Sequence, residues 1–315
     1  MNDSLSCVSG VHRIPVRGWF AATLALAAAA AACAEDQGAS KGAAPHDADG
    51  GGVDPGLPKD TGIAGVAGCE PWAGMGDGEL LSRLHAHLQG TYEPIDPEPD
   101  VGGLPNRYTT ARHRMFTLVE RLPPPGGVEP GVEAVYTGRF VATGPDEEPD
   151  DDDINCEHTW PRARMDPDRD GALYSHEESD IHGLYPSDSG VNSARGSLRF
   201  GEPVSEIDET YLPALVGLDA AGERVFKPRS VRLGDLARAQ FYFATRWGAA
   251  IRDDEEAVLR DWAADDPVEA RERHRNDSIE AIQGNRNPYV DCPGLAERIV
   301  DFADFAILDR DLALP

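Results

Sequence analysis

Asn155-Cys156-Glu157-His158-Thr159-Trp160-Pro161 sets a carboxylate directly beside an imidazole, immediately after Asp146–Asp153, where seven of eight residues are acidic. Hydrolysis of a phosphodiester requires a group that takes a proton from water and a cation that neutralises charge on the phosphoryl and departing oxygens. A histidine titrating near neutrality suits the first task. Mg²⁺ suits the second, because it prefers oxygen donors, keeps several waters and needs only one or two protein ligands. Neighbouring residues on a strand face opposite ways, so Glu157 and His158 serve one phosphate only at a strand end or bend. Pro161 is compatible with a strand that stops there. By itself the Glu-His pair is a weak signal that reads more readily as two polar neighbours on an exposed loop, and the residues downstream have to decide.

Those residues are Glu178-Ser179-Asp180-Ile181-His182-Gly183-Leu184-Tyr185-Pro186, then Val191-Asn192-Ser193-Ala194-Arg195-Gly196, then Phe200-Gly201. Their order resembles the endonuclease I family of exported, non-specific, metal-dependent nucleases built on a ββα-metal (His-Me) finger. Tyr136-Thr137-Gly138-Arg139, Ala237 to Phe243, Arg275-Asn276-Asp277 and Ile282 to Val290 extend the likeness over about residues 70 to 305. The resemblance implies His158 as general base and Glu157 as metal ligand. It implies Asn192 as the second ligand, through an amide oxygen on the finger's helix; alone, Asn192 after Gly190 reads as a turn residue. Ser197 stands where the family often has Asn. An arginine that steadies the cleaved phosphate is also implied, and Arg195, Arg162, Arg164 and Arg199 are the candidates. Asp180 and His182 are expected to hold the finger together by hydrogen bonds, with Glu178 as a supporting carboxylate. The implied cofactor is Mg²⁺, with Ca²⁺ or Mn²⁺ as alternatives. The implied partner is nucleic acid, DNA with RNA as an open alternative, bound without regard to sequence.

Between the finger's halves, Asp166, Asp168, Asp170, Gly171 and Glu177 satisfy the spacing of a Ca²⁺ loop, in which clustered oxygens wrap a large cation. The flanking helices of such a loop are not expected, so an acidic surface loop is the competing reading. That loop, the acidity and Ser197 motivate a second functional class: a tethered Ca²⁺-binding protein on an inactive nuclease scaffold.

At the N-terminus, Arg13 and Arg17 precede an apolar, alanine-rich stretch, Gly18–Ala32, too short for a comfortable membrane span. Residues 1–32 therefore read as an export signal. Cys33 follows a run of six alanines, so lipid attachment there and simple cleavage nearby stay open. Residues 33–66, rich in Gly, Ala, Asp and Pro, cannot bury a core and read as a tether. Cys69, Cys156 and Cys292 then leave one disulfide and one free thiol in an oxidising compartment, and spacing does not choose the pair. No Cys-x-x-Cys spacing favours zinc.

Residues 67–312 are ample for one core. Helical spacing is read at Leu80 to Leu88, Tyr108 to Leu122, Asp235 to Trp247, Asp254 to Trp262, Pro267 to Ile282 and Pro293 to Ile307. Glu133 to Val141 reads as a strand interrupted at Gly138. Phe241, Tyr242, Phe243, Trp247 and Trp262 read as core. The expectation is an α+β fold: a mostly helical single domain with a small antiparallel sheet carrying the finger. Composition argues against a basic nucleic-acid-binding field, because 56 acidic residues face 29 basic ones and leave a formal charge of −27.

Overall fold

The computed structural model describes residues 69–99, 106–124, 126–127 and 129–303. The segments read as export signal and tether, with Cys33, lie outside them. The first helix, α1 (Asp77–Thr91), buries Leu80, Leu81, Leu84 and Leu88 along the face their spacing defines. Next comes α2 (Arg107–Arg114), opened by a reciprocal capping box between Asn106 and Thr109. It continues into a π-helical turn, Met115–Val119, so the expected helix is present with a change of pitch.

The expected strand at 133–141 is instead a hairpin. Strands β1 (Gly131–Glu133) and β2 (Phe140–Ala142) pair antiparallel, and Gly138, at φ +80°, lies in the connecting turn. A positive φ costs glycine nothing, and here it reverses the chain rather than bending one strand.

The finger follows. Strand β3 (Ile154–His158), helix α3 (Ala172–Glu177), strand β4 (Leu184–Asp188) and helix α4 (Ser189–Arg195) come in that order. β3 and β4 pair antiparallel with Glu157 opposite Tyr185 and His158 opposite Leu184, and α4 packs on both strands. A third antiparallel sheet holds β5 (Ser205–Asp208), β6 (Leu215–Leu218) and β7 (Arg224–Lys227) in sequence order. A bridge between Phe200 and Phe226 joins it to the end of the finger.

Helix α5 (Leu233–Trp247) is buried at every position. It packs against α1, against the turn Ile181–Gly183, against α6 (Asp253–Asp265), and against the short α8 (Pro288–Asp291) that follows α7 (Ala270–Gln283). Phe241, Tyr242, Phe243, Trp247 and Trp262 are all core, as read from the sequence. The helix expected over Pro293–Ile307 is not formed in its described part. Gly294 takes φ +83° and only a 3-10 turn, Ala296–Arg298, appears before Ile299 and Phe302 enter the core. A disulfide joins Cys69 to Cys292, and Cys156 is free. The arrangement is the expected α+β fold with helices dominant.

The finger sits between two apolar clusters. Ile154, Ile181 and Leu184 join Met115, Phe116, Val132 and Ile279 on one side. Trp160, Tyr136, Tyr185 and Phe200 join the larger cluster around α5 on the other. With both flanks packed, β3 and β4 are a rigid platform for polar groups at the strand end.

Candidate active site

Alternation along β3 distributes its side chains between two neighbours. Asn155 and Glu157 face α4; Cys156 and His158 face α2. On the α4 side, Asn192 Nδ2 donates to Asn155 Oδ1 at 2.8 Å and to the Cys156 carbonyl at 3.2 Å. With its amide hydrogens committed to those two acceptors, Asn192 turns Oδ1 away from them, and that oxygen has no hydrogen-bond partner among the described residues. Glu157 is 2% exposed. Its Oε1 accepts from the Tyr136 hydroxyl at 2.6 Å and from Arg195 Nη1 at 2.7 Å. Oε2 has no side-chain donor among the described residues. Burial pushes the Glu157 carboxyl above its ordinary range, and the Arg195 charge and Tyr136 hydroxyl bring it part of the way back.

On the α2 side, His158 Nε2 meets the Glu178 carbonyl at 2.9 Å. A carbonyl only accepts, so Nε2 carries the proton and Nδ1 presents its lone pair, with no protein partner among the described residues. The ring lies 5.1 Å from Tyr108, and the Arg162 guanidinium lies 4.4 Å from the centre of that same Tyr108 ring. Burial and then the Arg162 charge hold the imidazole at about 3, against a smaller opposing effect of the Glu178 carbonyl, so it is neutral at physiological pH. Trp160 stacks 4.8 Å from Phe243 and fixes the chain just beyond the strand end.

The four candidate arginines separate clearly. Arg195 is 1% exposed and donates inward to Glu157, to the His158 carbonyl at 2.9 Å and to the Thr159 carbonyl at 2.6 Å. The expectation that it steadies a phosphate is corrected: it lies four residues after buried Val191, on the inward face of α4, and braces β3 from beneath. Arg199 pairs with Asp219, Glu223 and Asp254, and Arg164 with Glu255. Arg162 alone of the four keeps a well-exposed side chain, 40%, while contacting the site through Glu178 at 3.2 Å and through Tyr108.

Asp180 and His182 lie beneath the site. Asp180 Oδ2 accepts from Tyr242 at 2.8 Å and Trp247 at 3.1 Å, and Oδ1 accepts from Gln283 at 2.8 Å and the His182 amide at 3.1 Å. His182 Nε2 meets the Asn285 carbonyl at 3.3 Å. The finger is thereby tied to α5 and to the chain after α7.

The carboxylates of the Ca²⁺-like loop are not drawn together. Asp168 and Asp170 are exposed, whereas Glu177 is buried and its Oε2 accepts from the Asp166 amide at 2.6 Å. Among the described residues no group of three or more His, Cys, Asp or Glu side chains is placed to hold a metal ion. The donor set beside His158 is instead one carboxylate and one amide oxygen, which fits a hard cation that retains most of its waters. Sequence reasoning missed Tyr136 and Tyr108 as parts of this site. Tyr136 opens the Tyr-Thr-Gly-Arg block, but nothing in the sequence says that its hydroxyl reaches a residue 21 positions later.

A ββα unit with an imidazole at the end of its first strand, a carboxylate beside it and an amide on its helix is the arrangement the sequence implied, and the Endonuclease I family profile matches residues 125–294. The chain belongs to the endonuclease I family. Similar relatives include an extracellular ribonuclease of Bacillus subtilis (strain 168), 35% identical over 165 residues, covering 47% of this chain and 54% of the relative. An extracellular ribonuclease of Bacillus amyloliquefaciens is 33% identical over the same shares. A periplasmic deoxyribonuclease of Aeromonas hydrophila is 28% identical over 120 residues, 38% of this chain and 50% of the relative. The chain thus spans about half the length of the curated relatives it matches. This endonuclease I domain carries Glu157, His158 and Asn192 inside the matched segment.

Proposed function

We propose that this protein is an exported, metal-dependent, non-specific endonuclease that hydrolyses DNA and RNA to 5′-phosphate ends. The observation that carries the reading is the fixed tautomer of His158: Nε2–H is spent on the Glu178 carbonyl, and Nδ1 is left to accept a proton beside Glu157 and Asn192. Names of relatives that include both ribonucleases and deoxyribonucleases support a substrate range that is not confined to one sugar. The Cys69–Cys292 disulfide and the extracellular or periplasmic relatives support export.

His158 Nδ1 removes a proton from the attacking water. The water oxygen bonds to phosphorus, the P–O3′ bond breaks, and the departing 3′ oxygen is protonated from solvent. Glu157 and Asn192 would hold the divalent cation, Mg²⁺ in the first instance, which when bound supplies positive charge to the phosphoryl and departing oxygens. Arg162 offers its planar guanidinium to the cleaved phosphate, leaving Glu178 as it does so. Asp180 and His182 keep β4 and α4 in register with β3.

Supercoiled plasmid and single-stranded RNA, each incubated with Mg²⁺ or with EDTA, test this. Wild type is expected to nick and degrade both only with the divalent cation, and His158→Ala to be slower by roughly 10²- to 10⁴-fold. Intact substrates with folded wild type at low salt would falsify the proposal.

A further inference from the structure

Two side chains from separate elements converge on one oxygen of Glu157. Tyr136 reaches it from the β1–β2 turn and Arg195 from the last turn of α4. Neither side chain is free to follow a moving carboxylate. The Tyr136 ring is fully buried, 4.7 Å from Phe226 on β7 and 6.5 Å from Phe200, and the Arg195 guanidinium lies 4.9 Å from the Phe200 ring. The turn carrying Tyr136 is itself fixed on both sides. Val135 N donates to the Pro186 carbonyl of β4 at 2.8 Å, and the Val135 carbonyl accepts from Arg229 Nε at 3.0 Å. A carboxylate held by two rigid donors on Oε1 has its plane and rotamer set, and Oε2 is oriented as a consequence.

We propose that Tyr136 and Arg195 are positioning residues that aim Glu157 at the cation, with the β5–β6–β7 sheet as their support through Phe226. This rests on the reading of Glu157 as a metal ligand. Pre-aiming matters because a carboxylate that must first find its rotamer spends part of its binding free energy on ordering. A tyrosine distant in sequence and a sheet outside the finger thereby govern metal affinity.

The test is calorimetric titration of Mn²⁺ into the full-length protein and into Tyr136→Phe, Arg195→Lys, Glu157→Ala and Tyr289→Phe, alongside plasmid nicking over a range of Mn²⁺ concentrations. Tyr136→Phe removes one hydroxyl from a packed ring and is expected to raise the Mn²⁺ Kd about tenfold, with nicking restored by correspondingly more Mn²⁺. Arg195→Lys keeps the charge but loses the two-sided geometry, and is expected to shift the Kd in the same direction. Tyr289→Phe, which removes an equally buried hydroxyl bonded to Thr245 at 2.6 Å, is expected to leave the Kd within twofold. A Tyr136→Phe Kd within twofold of wild type overturns the positioning role alone. Wild-type affinity in Glu157→Ala, or a folded wild type that takes no Mn²⁺, overturns the ligand assignment and the positioning role with it.

Discussion

Arg162 and Arg195 carry the same charge and differ in what surrounds them. Arg195 has three protein acceptors within 2.9 Å and no exposed surface to offer, whereas Arg162 shares one carboxylate and one aromatic face and stays largely open. Arg162→Ala is therefore expected to lower kcat/KM on DNA by roughly 100-fold, in the range for loss of one charge-stabilising donor, with little change in thermal midpoint. Arg195→Ala is expected to lower stability by about 3 kcal/mol, because it leaves the buried Glu157 carboxylate without its partner. Steady-state kinetics and urea unfolding of both variants check the contrast; equal stability losses would contradict it. Glu157, His158 and Asn192 were legible as candidates from residue type and order. The distinction between the arginines was not, because the four candidates look alike in sequence until burial assigns their donors.

Glu133, on β1, is the point where three elements are joined by charge. It pairs with Arg229 and Arg232 before α5 and with Arg271 on α7, the last at 3.1 Å. Burial raises its carboxyl, but the combined charges of Arg271, Arg229 and Arg232 outweigh burial and hold it at about 2, against an ordinary 4.5. A depressed folded pKa means a stabilisation fully present above pH 4.5 and lost as pH falls through about 2. Allowing for solvent screening, Glu133→Gln is expected to cost about 2 kcal/mol at pH 7, with the gap from wild type closing below pH 4.5. Urea unfolding at pH 7, 4 and 2.5 measures it, and a gap independent of pH would exclude the ion-pair account. Local sequence foretold most helices here, since Leu80 to Leu88 and Asp235 to Trp247 form continuous apolar patterns. It misread Gly138 as an interruption and Pro293 as a helix start. In both places backbone at positive φ decided the outcome, at Gly138 and at Gly294.

The whole molecule is strongly acidic, yet the acidic run beside the finger is partly docked. Glu148 and Asp151 pair with Arg112 on α2, and Arg139 joins Asp153 to Asp188. Asp146, Glu147, Asp150 and Asp152 remain exposed. Replacing these four by Asn or Gln is expected to raise kcat/KM on DNA about three- to tenfold at low ionic strength and to have no effect at 0.5 M NaCl, where screening reaches a few ångströms. Activity measured across a salt series reads it directly, and a gain that persists at high salt would point away from repulsion. The Cys69–Cys292 bond closes a separation of 223 residues, and chain entropy gives it about 5 kcal/mol. Wild type unfolded in urea with and without dithiothreitol should show that loss; superimposable curves would mean the bond constrains nothing.

The sequence by itself determined the family and the α+β class and nominated Glu157, His158 and Asn192 for the chemistry, because these readings depend on residue type and order within short blocks. It also restricted the disulfide to one pair among three cysteines. Tertiary structure alone decided which pair, which arginine faces outward, and that a tyrosine on a separate hairpin reaches Glu157. Those outcomes depend on distances between segments far apart in the chain, set when two apolar cores close on either side of the finger, and no local pattern encodes them.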